Sequence, residues 1–222
     1  MEPRYELHDG EYQRLRKKGQ GGWDDDDQHE EGVARLAELR GWEELPKSGR
    51  LLELGCGEGR KTLWWAQQGY ECTGVEISST AVEWGREQAT KAGLQVDFRL
   101  GSVLELEGLA DDSFDLVVDG HCAHCIIGDD RALFFGEARR VLKPGGIFLL
   151  RTMCGEPQGS MREHYDPETR CHVYGEIVTR YFGEKDSLLA ELESAGLRVV
   201  RAHEFEDDAD ALNELVAAAT KD

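Results

Sequence analysis

The run Arg50-Leu51-Leu52-Glu53-Leu54 ends abruptly in Gly55-Cys56-Gly57-Glu58-Gly59, an apolar stretch closed by three glycines at alternate positions. An apolar run bounded by a glycine turn reads as a strand buried on both faces, the central strand of a parallel sheet. Glycines carry no Cβ, so the turn bends sharply and the backbone comes close to whatever binds there. Residues 70–77 predict a second strand ending on Glu76, roughly 20 residues beyond the turn, where nucleoside-binding sheets keep an acid for ribose hydroxyls. The spacing is G-x-G-x-G, which differs from the G-x-G-x-x-G of dinucleotide sites.

Strand and helix signals then alternate. Residues 95–100, 114–119, 147–150 and 197–205 read as further strands. Helices are predicted over 11–18, 28–40, 59–68, from Ser78 or Ser79 to Gly93, from a cap at Asp130 to the stop Lys143-Pro144-Gly145-Gly146, and over 188–195. Asp27 or a neighbour is expected to cap the helix over 28–40, and Trp64 and Trp65 are expected to pack. Residues 153–183 are the least regular part. An insertion there lies at the carboxyl edge of the sheet and suits a substrate cap. The composition of 207–222 favours a helix.

LELGCGEGR, GVEIS and RVLKPGG, in that order, resemble the class I (Rossmann-like) S-adenosylmethionine-dependent methyltransferases from about residue 48 onward. The resemblance implies an α/β fold: a doubly wound, mostly parallel seven-stranded sheet with helices on both faces. It makes residues 214–221 the antiparallel last strand. Residues 1–47 would form an N-terminal helical lid bringing Tyr5, Tyr12 and Trp23 over the site. Residues 48–222 would form the methyltransferase domain, with the cap inserted at about 153–183. The implied cofactor is S-adenosyl-L-methionine, and the product S-adenosyl-L-homocysteine. Ser102 stands where many similar proteins carry an acid that bonds the adenine amino group, so either a weaker hydroxyl contact replaces it or backbone groups hold the adenine.

Parallel sheets bind ligands at the carboxyl ends of their strands. That rule selects Glu53, Gly55, Cys56, Gly57, Gly59, Glu76, Ile77, Ser102, Val103 and Asp119 as cofactor contacts. Glu76 would accept bonds from both ribose hydroxyls.

The stretch Asp119-Gly120-His121-Cys122-Ala123-His124-Cys125 interleaves HxxH with CxxC. Three readings stand. Thiolates and imidazoles suit zinc, although a single CxxC lacks a second pair and no metal ligand is assigned. Free cysteine also packs well in cores. The third reading places His121 and His124 at the acceptor as base or orienting groups. Tyr12, Trp23, Cys122, Cys154, Tyr165 and Arg180 complete the expected acceptor contacts, with Cys154 sharing the rim and Arg180 and Tyr165 recognising a carboxylate.

The chain has 26 basic and 45 acidic residues, a formal charge of −19, which repels phosphate backbones and argues against nucleic acid as partner. No apolar run approaches the ~20 residues of a membrane span. The N-terminus lacks a basic start with an apolar core. Six cysteines in a chain of 222 residues fit a reduced cytoplasmic protein. The expected function is methyl transfer to a small molecule of the kind handled by thiopurine and tellurite methyltransferases. A thiol or other soft nucleophile comes first, and a small amine or carboxylate second. A reading of another class is a non-catalytic cofactor-binding protein that senses metal or redox state through its Cys/His cluster.

Overall fold

The computed structural model describes residues 2–205 and 213–222. In chain order the elements are β1 (Glu2–Pro3), α1 (Leu7–Lys17), α2 (Asp26–Arg40), β2 (Gly49–Leu54), α3 (Arg60–Gln67), β3 (Tyr70–Glu76), α4 (Ser79–Ala92), β4 (Asp97–Leu100) and β5 (Phe114–Asp119). A 3₁₀ turn (Ala123–Cys125) precedes α5 (Asp130–Val141) and β6 (Leu142–Cys154). Then follow β7 (Tyr165–Asp166), β8 (Cys171–Tyr174), β9 (Ile177–Tyr181), α6 (Lys185–Ser194), β10 (Arg198–Phe205) and β11 (Asn213–Thr220).

The main sheet of the described residues has seven strands in the order β10-β11-β6-β5-β2-β3-β4, with β11 antiparallel to both neighbours. The chain runs outward from β2 to β4, then returns to the other side of β2 as β5. The carboxyl ends of β2 and β5 therefore flank the topological switch point, where such sheets open a crevice.

Alternation along each strand feeds two cores. Leu52, Leu54, Val117, Phe148 and Leu150 face α5 and α6, where Phe134, Phe135, Ala138 and Leu192 are fully buried. Leu51, Leu116, Val118 and Leu149 face the opposite layer, built from Leu36 and Leu39 of α2 together with Trp42, Leu45 and Trp65. Each such side chain contributes about 1.5–3 kcal/mol when buried. The N-terminal segment thus divides. Its second helix is a core layer of the sheet, and the lid expected over 1–47 narrows to the part before Asp26.

The caps of α4 follow expectation, that of α2 falls on Asp25, and the one expected at Asp130 does not form. Asp25 closes a capping box with Gln28 at the start of α2. Ser78 accepts from the Ala81 amide and Gly93 ends α4 in the left-handed conformation. Asp130 caps nothing; its carboxylate accepts a bond from Tyr5 Oη at 2.9 Å. At the carboxy terminus β11 is a strand, paired with β6 from Asn213–Cys154 to Thr220–Ile147, and its alanines fit the crowded middle of the sheet where helical composition loses to cross-strand pairing. Residues 207–212 of that expectation lie outside the described residues.

The segment 153–183 is more regular than its sequence suggests. β7, β8 and β9 form an antiparallel meander, and β1 adds to β9 in parallel through Glu2–Ile177 and Pro3–Val178. The first residues of the chain are therefore a strand of the cap sheet. Cys171, His172, Val178 and Phe182 are buried beneath it.

Candidate active site

The glycine turn after β2 holds left-handed backbone at Gly55, Gly57 and Gly59, with φ of 64°, 55° and 79°. Neighbours close on each position. A Cβ on Gly57 would lie 2.4 Å from Tyr12 Oη, one on Gly59 2.3 Å from the Phe98 ring, and one on Gly55 2.4 Å from Cys122 Cβ. The Gly57 amide donates to Glu76 Oε2 at 3.0 Å, and the Ser78 amide to Glu76 Oε1 at 2.9 Å. Both carboxylate oxygens are thereby aimed at the turn while keeping lone pairs for a ligand. Burial pushes the Glu76 carboxyl up, against these two amides. Glu53 accepts from the Thr62 hydroxyl behind the turn; burial raises it to about 7.

The segment before Asp26 closes over this turn. Asp9 of α1 accepts from Ser78 Oγ at 2.7 Å and from the Thr80 amide at 2.9 Å, tying α1 to the start of α4. Tyr5 bridges Asp130 and the Ile127 amide. Trp23 stacks against Tyr12 at 5.1 Å and His8 at 5.8 Å. At the end of β4, Ser102 Oγ accepts from the Leu104 amide at 3.1 Å. Ile77 is 41% exposed beside Glu76.

One cavity of about 920 Å³ joins these groups to the loop after β5. Gly120 lets that loop meet the glycine turn, since a Cβ there would lie 2.6 Å from the Gly55 carbonyl oxygen. Asp119 Oδ1 accepts from the Cys122 and Ala123 amides at 2.9 and 3.1 Å, which winds the chain into its 3₁₀ turn. That winding leaves His121 at φ 71°, an uncommon conformation for a side chain of its size. The His121 and His124 rings meet edge to face at 4.9 Å, and His121 Nε2 lies 3.6 Å from Glu214 Oε1. Burial holds both imidazoles well below their ordinary value, helped by Arg151 at His121 and by His121 at His124. Both rings are therefore neutral at pH 7. The thiols are neutral as well, Cys122 pushed well up by burial and Cys125 to about 11. Among the described residues no three His, Cys, Asp or Glu side chains converge as a metal site.

The predicted residues separate into two groups. Tyr12, Trp23, Glu53, Gly55, Cys56, Gly57, Glu76, Ile77, Ser102, Val103, His121, Cys122, His124 and Arg180 line the cavity. Four do not. Gly59 precedes α3 and closes against the Phe98 ring. Asp119 lies beneath the wall as the turn's cap, with Oδ2 buried and unpartnered. Cys154 packs with Leu188 and Leu215, because strand alternation turns it away from Met153 on the cavity side. Tyr165 packs edge-on to Phe182 within the cap.

Sequence reasoning missed Arg151, Met153 and Glu214. The first two follow from carrying the alternation of the strand predicted over 147–150 three residues further. Glu214 reaches the cavity only through the pairing of β11, where it stands opposite Met153 and salt-bridges Arg151 at 2.7 Å.

Residues 52–150 match the family described as a methyltransferase domain. Over 131 residues the chain is 37% identical to an S-adenosyl-L-methionine-dependent Diels-Alderase of Talaromyces variabilis, covering 54% of this chain and 42% of that protein. Over 125 residues it is 30% identical to a ribosomal RNA small subunit methyltransferase C of Alcanivorax borkumensis, covering 54% and 37%. The chain thus spans less than half the length of these two relatives. The fold superimposes on a Burkholderia thailandensis 1,6-didemethyltoxoflavin-N1-methyltransferase solved with S-adenosylhomocysteine, with a TM-score of 0.70, 22% identity, and coverage of 97% and 87%. Its strand order, its G-x-G-x-G turn facing Glu76 and the match over residues 52–150 make the chain similar to the class I (Rossmann-like) S-adenosylmethionine-dependent methyltransferases, whose fold it shares.

Proposed function

We propose that the chain transfers a methyl group from S-adenosyl-L-methionine to a small-molecule acceptor, a thiol or other soft, acidic nucleophile before an amine or carboxylate. The observation that carries this is the pair of imidazoles, His121 and His124, meeting edge to face in one cavity with Glu76 and the glycine turn.

The residues fit the cofactor. The left-handed turn at Gly55, Gly57 and Gly59 packs too closely on Cys122, Tyr12 and Phe98 to carry side chains, so its backbone borders the cavity, and Glu76 offers both carboxylate oxygens to a diol. Ile77, Ser102 and Val103 would flank the base, with Glu53 and Cys56 beneath the turn. The cavity sits at the large end of the ~300–1,000 Å³ range of small-ligand sites, room for a cofactor and a small acceptor together. When bound, the cofactor supplies an activated methyl group on its sulfonium.

The protein aligns the acceptor, excludes water and holds a proton. An imidazole held well below 6.5 stays unprotonated at neutral pH, yet it is a weak base. It takes a proton readily only from an acceptor that is already acidic, such as a thiol near ~8.5, and less readily from an ammonium near ~10.4. The free state of all six cysteines suits the reducing cytoplasm, where we place the reaction. Among the described residues no helix is long and apolar enough to cross a membrane.

The test is a transfer assay with methyl-labelled S-adenosylmethionine and a panel of thiols, phenols, amines, carboxylates, arsenite and RNA. Label should appear in thiols, with one S-adenosylhomocysteine formed per methyl. Label only in amines or in RNA contradicts the soft-acceptor reading, and RNA is included because one relative is named for it. Tight cofactor binding with no transfer to any acceptor contradicts the enzyme reading and favours the sensor.

A further inference from the structure

Five arginine and lysine side chains line the cavity: Arg35, Arg60, Lys61, Arg151 and Arg180. Four are paired with carboxylates. Arg35 lies 2.8 Å from Glu38, Arg60 3.0 Å from Asp26, Lys61 3.0 Å from Asp24 and Arg151 2.7 Å from Glu214. Arg180 has no carboxylate within 4 Å and no hydrogen-bond partner among the described residues, and its Nε is buried. A chain with 45 acidic residues has ample means to neutralise a cation, and here it does not. Arg131, also close to the loop after β5, shows what a structural arginine looks like. It takes Glu191 with two nitrogens, at 2.8 and 2.6 Å, and the carbonyls of Ala123 and Ile126 with a third.

The position of Arg180 is as informative as its lack of a partner. It comes from β9 of the cap, opposite His172, and reaches the part of the cavity that holds His121, His124, Cys125 and Met161. Its charge depresses both cavity imidazoles and the Cys125 thiol, so the guanidinium is electrostatically close to the proposed base. An N–H fork without a counter-ion, over neutral rings and thiols, is the complement of a planar oxyanion.

We infer that Arg180 is an anion subsite of the acceptor half, and that the acceptor carries a carboxylate which pairs with this guanidinium while its nucleophilic atom lies towards His121 and His124. This inference rests on the methyltransferase reading for the word acceptor, while the anion site itself is independent of it. A carboxylate fits the fork in a bidentate manner with one charge. Phosphate shares the oxyanion chemistry, and its second charge meets repulsion from Glu214 on the cavity wall.

The test measures binding in place of turnover. Calorimetric titrations use 3-mercaptopropionate against 3-mercaptopropionamide, benzoate against benzamide, and inorganic phosphate. Each is run with the free protein and with protein saturated in S-adenosylhomocysteine. At least one carboxylate should bind more tightly than its amide, and R180Q should erase that preference through a roughly 10- to 100-fold loss for the carboxylate alone. R180K, which keeps the charge and loses the fork, should fall between. Melting curves of R180Q and R180K show whether either variant is misfolded, and an R180Q that does not fold leaves R180K to carry the comparison. Equal binding of carboxylate and amide, a preference that survives R180Q, or tighter binding of phosphate than of every carboxylate overturns the inference. Failure of S-adenosylhomocysteine to bind contradicts the methyltransferase reading instead, and the titrations of the free protein still read the anion site.

Discussion

The two halves of the cavity are built on opposite terms. Around the glycine turn every polar group that matters is engaged: both Glu76 oxygens hold amides, the Glu53 carboxylate holds Thr62, and Asp9 pins α1 to the start of α4. Across the cavity, His124 Nδ1 and Arg180 Nε are buried without partners, and His121 sits in a strained backbone conformation. An unpartnered buried polar atom costs about 1–3 kcal/mol. One half is a preformed cradle, and the other is incomplete in a way that a ligand would complete. Strain and unsatisfied groups gather where a protein trades stability for function.

The contrast breaks or sharpens in solution. Replacing both imidazoles in H121N/H124N should lower kcat by roughly 10²–10⁴ and leave S-adenosylhomocysteine affinity unchanged. A parallel loss of cofactor binding would erase the division between the halves. E76A should do the reverse, weakening cofactor binding roughly 100-fold through two lost charge-assisted bonds, with little effect on the carboxylate preference at Arg180. G57A should cost stability by at least about 1–2 kcal/mol, because φ of 55° disfavours a Cβ and Tyr12 must also move. Thermal unfolding reads this directly.

A subtler effect is pH-dependent. Glu53 is raised by burial from 4.5 to about 7, so its contribution to stability is complete below 4.5 and lost as the pH rises through 7. Its loss is on the order of 1–3 kcal/mol across that window. The E53Q variant should therefore show a flatter stability profile between pH 4.5 and 7 than the parent. The imidazoles have the opposite sign. Held below 6.5, they contribute stability above that pH and lose it as the pH falls, so the acid limb of kcat/KM should lie below 6.5. The smallest effect on the cavity belongs to C154S, which should leave KM unchanged because this side chain packs against Leu188 and Leu215, away from the cavity.

Legibility follows the same division. The cradle could be read from the chain because its parts are local: an apolar run, three glycines and an acid at the end of the next strand. The seven-stranded, mostly parallel sheet came with the family resemblance that these motifs carry, and so did β11 as a strand despite its helical composition. The acceptor half draws on β9, β11 and the ends of β6, brought together only by long-range pairing. Glu214 faces the cavity because its register sets it opposite Met153, a relation that no local pattern encodes. Cys154 and Tyr165 were misplaced for the same reason, since a one-residue change of face moves a side chain from the cavity into a core. The parallel pairing of Glu2–Pro3 with β9 has no local signal at all.

The central claim is that the turn at Gly55–Gly59 and Glu76 together hold S-adenosylmethionine. A calorimetric titration of S-adenosylhomocysteine into the parent chain and into E76A tests it most directly. The account predicts one site per chain in the parent and a roughly 100-fold weaker site in E76A, with both proteins folded. No binding by the parent, or equal binding by both, would contradict it.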